Sequence, residues 1–234
     1  MFGHPGKKLL FMGQEFGQYD EWNANVGLQW FLIDDNRNNL DMQNYYRALQ
    51  HFYKNHRAMW ELDFDPAGFE WMSCDDNQNS VVSFVRKTKD GKNSLLFVCN
   101  FTPVPREDYR VGVPNLGTYK AVFNSDDMPY GGTGQFPQSD KRASKTAWNY
   151  RDQSIKITVP PLSMVVYEYN HKMPVDEKAE AMKKAMKKKT PKKTPVKKGE
   201  VKKPTAVKPM KKAAKKKVEA PVVEASVAET KTEE

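Results

Sequence analysis

The chain divides sharply near residue 170, and this division limits which part of it can fold. All 27 Phe, Trp and Tyr residues lie before residue 171. Residues 171–234 hold 20 Lys, no Arg and 9 acidic residues, a net charge of +11, whereas residues 1–170 carry a net charge of −2. With few large apolar side chains to bury, the last part cannot offset the entropy cost of ordering its backbone. We expect a folded part over 1–170 and a disordered Lys/Ala/Pro-rich tail over 171–234.

The first 59 residues have the pattern of one β/α unit. Residues 7–12, KKLLFM, contain consecutive apolar residues, which is typical of a strand buried on both faces in a parallel sheet. Residues 40–59 place apolar side chains three and four apart, which predicts an amphipathic helix of about 18 residues, with Asn39 as a plausible N-cap. The long loop over 13–39 is rich in aromatic residues, and such loops are usually functional or disordered. The strand needs partners outside this unit.

Residues 60–170 follow a different rhythm, of short β-branched and aromatic runs separated by turn residues. Asp90 and Gly91 between two such runs indicate a hairpin. Seven strands in roughly 110 residues predict an antiparallel sandwich, and we place them at 68–73, 80–87, 94–101, 108–113, 118–123, 154–159 and 163–169. Residues 124–150 interrupt the series as a long polar excursion.

Several classes of protein are disfavoured by the sequence. Cys74 directly follows the predicted strand at 68–73 and Cys99 lies in the one at 94–101, and we expect both thiols to be buried and reduced. His51 and His56 are five residues apart on the predicted helix, a poor spacing for a metal-ligand pair. There is no run of about 20 apolar residues and the N-terminus lacks the features of a signal peptide. We therefore expect no metal, no cofactor, no membrane segment and a cytoplasmic location.

Four segments together resemble a known family. They are KKLLFMGQEFGQYDEWN at 7–23, ELDFDPAGFEW at 61–71, NFTPVPREDYRVGVP at 100–114 and VPPLSMVVYEY at 159–169. In these segments the chain is similar to the C-terminal part of bacterial 1,4-α-glucan (glycogen) branching enzymes, members of the α-amylase superfamily, glycoside hydrolase family 13.

The resemblance implies both a layout and an activity. It implies that residues 1–59 are the last β/α unit of a truncated (β/α)8 barrel and that 60–170 form an all-β C-terminal domain of the amylase type. It implies glycosyl transfer, in which an α-1,4 glucan is cleaved through a covalent glycosyl-enzyme intermediate and joined to a 6-hydroxyl. No nucleotide or redox cofactor is implied, and glycogen or amylose is the implied substrate.

The carboxylates of the loop raise the question of catalysis. Glu15, Asp20 and Glu21 follow the predicted strand, where barrel enzymes keep their active sites. Retaining glycosidases need two carboxyls about 5–5.5 Å apart. The resemblance, however, implies that the catalytic acids lie on earlier barrel strands, whose motifs are missing from these 234 residues. We assign no catalytic residue and expect the chain to be inactive alone.

Substrate-binding candidates lie in the same loop. Flat indole rings suit the apolar faces of sugars, and the candidates are Gln14, Glu15, Trp22, Asn23 and Trp30. Two alternatives remain: Glu15 supports the site through hydrogen bonds, and the Trp side chains pin the loop. Farther along the chain, Trp71, Tyr109 and Trp148 suit either an accessory sugar surface or packing of the sandwich.

An alternative function is a non-catalytic, glucan-binding β-sandwich module with a polyanion-binding tail. The twenty lysines of 171–234 attract polyanions without sequence preference, although a solvated extension explains the same composition. The tail lacks the aromatic and Arg side chains that read bases.

Overall fold

The predicted strands build two antiparallel sheets. The structure, a computed structural model, describes residues 1–171, which lie within one compact unit. The strands are β1 (Phe69–Asp76), β2 (Val81–Arg86), β3 (Ser94–Asn100), β4 (Arg106–Val113), β5 (Thr118–Asn124), β6 (Lys141–Arg142), β7 (Gln153–Val159) and β8 (Met164–Tyr169). The larger sheet has the order β1-β2-β3-β8-β5-β6, and β4 pairs with β7 in the smaller sheet. The predicted antiparallel all-β domain is confirmed, with β6 as an additional two-residue strand.

Apolar side chains of the central strands point alternately to the two faces of the larger sheet, so both faces are packed against apolar residues. Leu96 and Val98 of β3 face the smaller sheet and pack with its buried Val111 and Ile155. Leu95 and Phe97 point to the opposite face, as the period of two in a strand requires. The core therefore has two layers of apolar contacts, one on each side of the larger sheet.

Two α-helices precede the sheets, and the second covers the sheet face opposite the smaller sheet. These helices are α1 (Phe31–Asp35) and α2 (Arg37–Asn55). Phe52 of α2, together with Ala58 and Met59 after it, packs against Phe97. The segment before the sheets is thereby joined to the all-β domain through a shared core.

Three details of the predicted β/α unit were wrong. Residues 7–12 form no strand, because among the described residues no neighbouring strand satisfies their backbone groups. The loop over 13–39 contains α1, and α2 begins at Arg37, with Asn36 as the N-cap whose side chain accepts from the Asn38 N–H. Asn39, the predicted cap, is instead buried inside the helix.

Two further expectations concern the cysteines and membranes. Both cysteines are free, but Cys74 is exposed, so its predicted burial was wrong. No helix within residues 1–171 is long and apolar enough to cross a membrane. The tail predicted to be disordered over 171–234 lies, from residue 172 onwards, outside the part of the chain that the structure describes.

Candidate functional site

The loop before α1 folds around an open groove of about 640 Å³. Its lining combines aromatic rings with carboxylate and amide groups, which is the composition expected of a polar-ligand site. Prominent among the lining residues are Phe11, Gln14, Asp20, Glu21, Trp22 and Tyr46. The groove therefore contains two of the predicted binding residues, Gln14 and Trp22.

Gln29 holds the groove loop together from within. Its Oε1 atom accepts hydrogen bonds from the backbone N–H groups of Tyr19 and Asp20, each at 3.3 Å. Its Nε2 atom donates to the Asp20 carboxylate at 2.6 Å, and its backbone N–H donates to Gln18 Oε1 at 3.0 Å. Gln29, near the end of the loop, is thus bonded to residues 18–20 in its first half.

Side chains near the start of α2 anchor the loop from outside. The buried Asn39 donates to the carbonyl oxygens of Phe16 and Gly17 at 2.8 and 3.0 Å. Asn36, the N-cap, donates to the Tyr19 hydroxyl at 2.7 Å. Phe16 is fully buried, so the loop has its own apolar anchor. These contacts position the groove on the end of the helix.

Trp22 and Gln14 are held at the groove without being buried. The Trp22 ring is 45% exposed and meets Phe11 edge to face, with ring centroids 5.9 Å apart. Gln14 Oε1 accepts from the Phe11 N–H at 2.9 Å, which leaves the Gln14 amide NH₂ as a donor. A supported, half-exposed indole beside amide and carboxylate groups is suited to a sugar ring.

The other three predicted binding residues lie outside the groove lining. Trp30 is 51% exposed and packs on Phe16 with ring centroids 4.9 Å apart. Asn23 is exposed, and its Oδ1 accepts from the Asn25 N–H at 2.9 Å. Glu15 is half-buried. A packing role accounts for the observed contact of Trp30, whereas Asn23 stabilises a local turn.

The two carboxylates that line the groove lie open to water. Glycoside cleavage needs one carboxyl kept protonated by its surroundings beside a second that stays ionised. Asp20 and Glu21 are both exposed to water, and Asp20 is already engaged by Gln29. Across residues 1–171, no group of three or more His, Cys, Asp or Glu side chains is arranged to hold a metal ion.

Sequence reasoning missed Tyr46 and Gln29. Tyr46 reaches the groove from α2, more than twenty residues after Trp22, so only the tertiary fold brings the two together. Gln29 carries no local signal, although an amide that satisfies several loop backbone groups is a common device in long loops.

The three aromatic residues proposed for an accessory sugar surface differ in their contacts. The Tyr109 hydroxyl donates to Asp76 at 2.6 Å, and burial raises the pKa of Tyr109. Trp71 packs edge to face on Phe69 and Phe84, which leaves it 41% exposed. Trp148 is 49% exposed and lies within the predicted polar excursion.

Comparison with known proteins agrees with this architecture. Residues 71–170 match the model of the alpha amylase C-terminal all-beta domain. The range covers the domain from within β1 to the end of β8, so the match and the observed sheets describe the same unit.

Similar proteins extend the match beyond this domain. The chain is 47% identical over 168 residues to the 1,4-alpha-glucan branching enzyme of Halothermothrix orenii. It is 46% and 44% identical over 166 residues to the enzymes of the same name from Francisella philomiragia and Francisella tularensis subsp. novicida. The matches cover 72%, 71% and 71% of this chain and 26% of each relative. The chain thus spans about a quarter of the length of these enzymes and is similar to their C-terminal region.

Proposed function

We propose that this chain is the C-terminal part of a 1,4-α-glucan branching enzyme, which transfers α-1,4-linked chains to 6-hydroxyl groups and so forms α-1,6 branches. The observation that carries this proposal is 47% identity over 168 residues to the branching enzyme of Halothermothrix orenii. The matched stretch of 168 residues is longer than the 100 residues of the all-β domain at 71–170.

Residues 1–59 are, in this proposal, the last β/α unit of the parent's (β/α)8 barrel. Leu9, Phe11 and Met12 are 73%, 51% and 52% exposed, although their sequence has the composition of a buried strand. Exposed apolar side chains of this kind are typical of a surface that another part of a protein covers. Neighbouring barrel strands would both pair the backbone of 7–12 and bury these side chains.

The chemistry of this proposal belongs to the larger part of the enzyme. The two carboxyls that form and break the glycosyl-enzyme bond are supplied by the portion of the parent to which this chain does not correspond. The groove on this chain serves as part of the active-site rim. Trp22 stacks on a sugar ring, the Gln14 amide hydrogen-bonds to hydroxyl groups, and Glu15, Asn23 and Trp30 act as further contacts or supports of the glucan chain.

The proposal for the tail is separate and rests on charge alone. Residues 171–234 carry a net charge of +11 from lysines, and such a charge attracts polyanions in a salt-dependent manner. Binding of the chain to a nucleic acid that disappears by about 0.3 M salt supports this proposal. Binding that persists at that salt concentration, or no binding at low salt, contradicts it.

A segment exchange tests the main proposal. The 168 matched residues of this chain replace the corresponding segment of the Halothermothrix orenii enzyme. Branching by the resulting chimera is followed by the iodine absorbance of amylose. We expect the chimera to branch amylose and the 234-residue chain alone to leave the absorbance unchanged. Branching by the chain alone contradicts the proposal, as does a folded but inactive chimera.

A further inference from the structure

A tight hairpin in the polar excursion carries two exposed aromatic rings at its tip. Trp148 and Arg151 form an antiparallel bridge, in which the N–H of each donates to the carbonyl oxygen of the other at 2.9 Å. The two residues between them, Asn149 and Tyr150, have φ values of 47° and 58°. Positive φ at both loop positions is the requirement of a type I′ hairpin turn.

Contacts on two sides fix this hairpin to the all-β domain. Asn149 Oδ1 accepts from the Gly112 N–H of β4 at 3.0 Å. The backbone approaches Gly112 so closely that a Cβ atom there would lie 2.2 Å from the carbonyl oxygen of Trp148. On the other side, the Arg151 guanidinium binds the carboxylate of Glu70 on β1. The tip is therefore presented on a preorganised support.

The residue at the tip is unfavourable for the turn itself. The second loop position of a type I′ turn favours glycine, and a bulky side chain with φ above zero is an outlier. Tyr150 occupies this position and is 100% exposed, so its ring gains nothing from packing. A strained, fully exposed aromatic residue on a fixed support points to a role outside the fold.

The size and composition of the tip select the class of ligand. A stable protein interface buries roughly 800 Å² per partner, whereas two aromatic side chains contribute about 150–250 Å² each. The tip is thus too small for a stable protein contact by itself. A sugar ring needs only one aromatic face, together with polar groups at its edge, and the exposed Asp152 follows the rings in sequence.

We propose that the Trp148–Arg151 hairpin is an accessory contact for an α-1,4-linked glucan chain, with the rings of Tyr150 and Trp148 stacking on sugar faces. This inference rests on the proposed function for its choice of sugar. It adds a second glucan contact on the all-β domain, separate from the groove, which holds a long substrate by an additional point of attachment.

Affinity electrophoresis of the full 234-residue chain in native gels with and without glycogen tests the hairpin. Tyr150→Gly removes the ring and relaxes the turn, so this variant keeps the fold. We expect it to weaken retardation by glycogen about fivefold or more, and Trp148→Ala to do the same. Tyr150→Phe keeps the ring and retains binding. The matched control is Asn93→Gly, at another exposed position with positive φ (54°), and we expect it to bind as the unchanged chain does.

Three results overturn the inference. The first is equal retardation of the unchanged chain and Tyr150→Gly, and the second is an unchanged chain that glycogen does not retard. The third is a concentration-dependent sedimentation of the unchanged chain without glucan that Tyr150→Gly abolishes, which would assign the tip to a second copy of the chain. The segment exchange reports independently on branching, so a chimera that branches amylose beside a hairpin that binds no glycogen contradicts only this inference.

Discussion

Replacing Arg86 by Met should destabilise the chain severely, because Arg86 joins the N-terminal segment to the sheet. Its side chain is fully buried at the end of β2. Its Nη2 atom lies 2.7 Å from Asp63 Oδ1 and donates to the Met59 carbonyl oxygen at 3.0 Å. Its Nη1 atom donates to the Gly3 carbonyl oxygen at 3.0 Å. One guanidinium therefore ties both the N-terminal segment at Gly3 and the stretch over 59–63 to the larger sheet.

The expected loss follows from what the substitution leaves behind. Arg86→Met removes the main counter-charge of Asp63, whose side chain is only 6% exposed. Removing one partner of a buried ion pair typically costs about 3–5 kcal/mol. This is a large part of the roughly 5–15 kcal/mol that stabilises a domain. At a urea dependence of about 2 kcal/mol per M, the unfolding midpoint should fall by about 2 M.

Urea unfolding followed by tryptophan fluorescence measures this loss. Arg57→Met is the matched control, since Arg57 pairs with Asp90 at 2.9 Å on the exposed surface, where ion pairs contribute little. A double-mutant cycle with Asp63→Asn should show that the two buried substitutions are not additive. If Arg86→Met shifts the midpoint no more than Arg57→Met does, the reasoning from the buried network is refuted.

Three other predictions concern the groove, the β2–β3 turn and the thiols. In the active chimera, Trp22→Ala should raise the KM for amylose about fivefold with little change in kcat, because a stacking contact binds ground state and transition state alike; an unchanged KM contradicts the contact. Hydrogen bonds from the Lys92 backbone N–H and the Arg57 guanidinium hold the pKa of Asp90 at about 2, below its ordinary 3.8. The ionised carboxylate therefore stabilises the fold above pH 3.8, and this stabilisation is lost as the pH falls through about 2. The difference in urea midpoint between Asp90→Asn and the unchanged chain should therefore shrink between pH 4 and 2, and a constant difference argues against it. Cys74 is exposed, whereas Cys99 is half-buried and burial raises its pKa to about 11, so a thiol reagent should modify Cys74 rapidly and Cys99 more slowly; equal rates in the folded chain contradict this difference.

The strands of the all-β domain were accessible to prediction because their signals are local. Alternating apolar residues and turn residues located all seven strands to within about three residues, including the hairpin at Asp90 and Gly91. The order of the sheet was not accessible, because β8 inserts between β3 and β5. That order depends on contacts between residues far apart in sequence, which strand patterns do not encode.

The N-terminal part illustrates the opposite case. Residues 7–12 have the composition of a buried strand and yet form none, because a strand is made by its neighbours as much as by its own residues. The N-cap of α2 is Asn36 and not the predicted Asn39, whose side chain binds the loop backbone instead. Local propensity could not distinguish these two asparagines.

The candidate site was predictable only in part. Trp22 and Gln14 were selected because an aromatic and amide-rich loop after an apolar run is an unusual pattern, and both line the groove; their role in binding stays a prediction. The hairpin at Trp148 was read as a polar excursion, since Tyr150 stands where the turn signal would be glycine. A turn without glycine at this position escapes local rules.

The most direct test of where the chemistry lies removes three carboxylates of the loop over 13–39 from the active chimera. Glu15→Gln, Asp20→Asn and Glu21→Gln are combined, and the fall in iodine absorbance of amylose is timed against the chimera with the unchanged segment. If the acids that make the bond lie outside this chain, branching continues in the triple variant, with at most a weaker affinity for amylose. A folded triple variant that has lost branching by a factor of about a thousand or more would contradict it, since a loss of that size is typical of a missing catalytic acid.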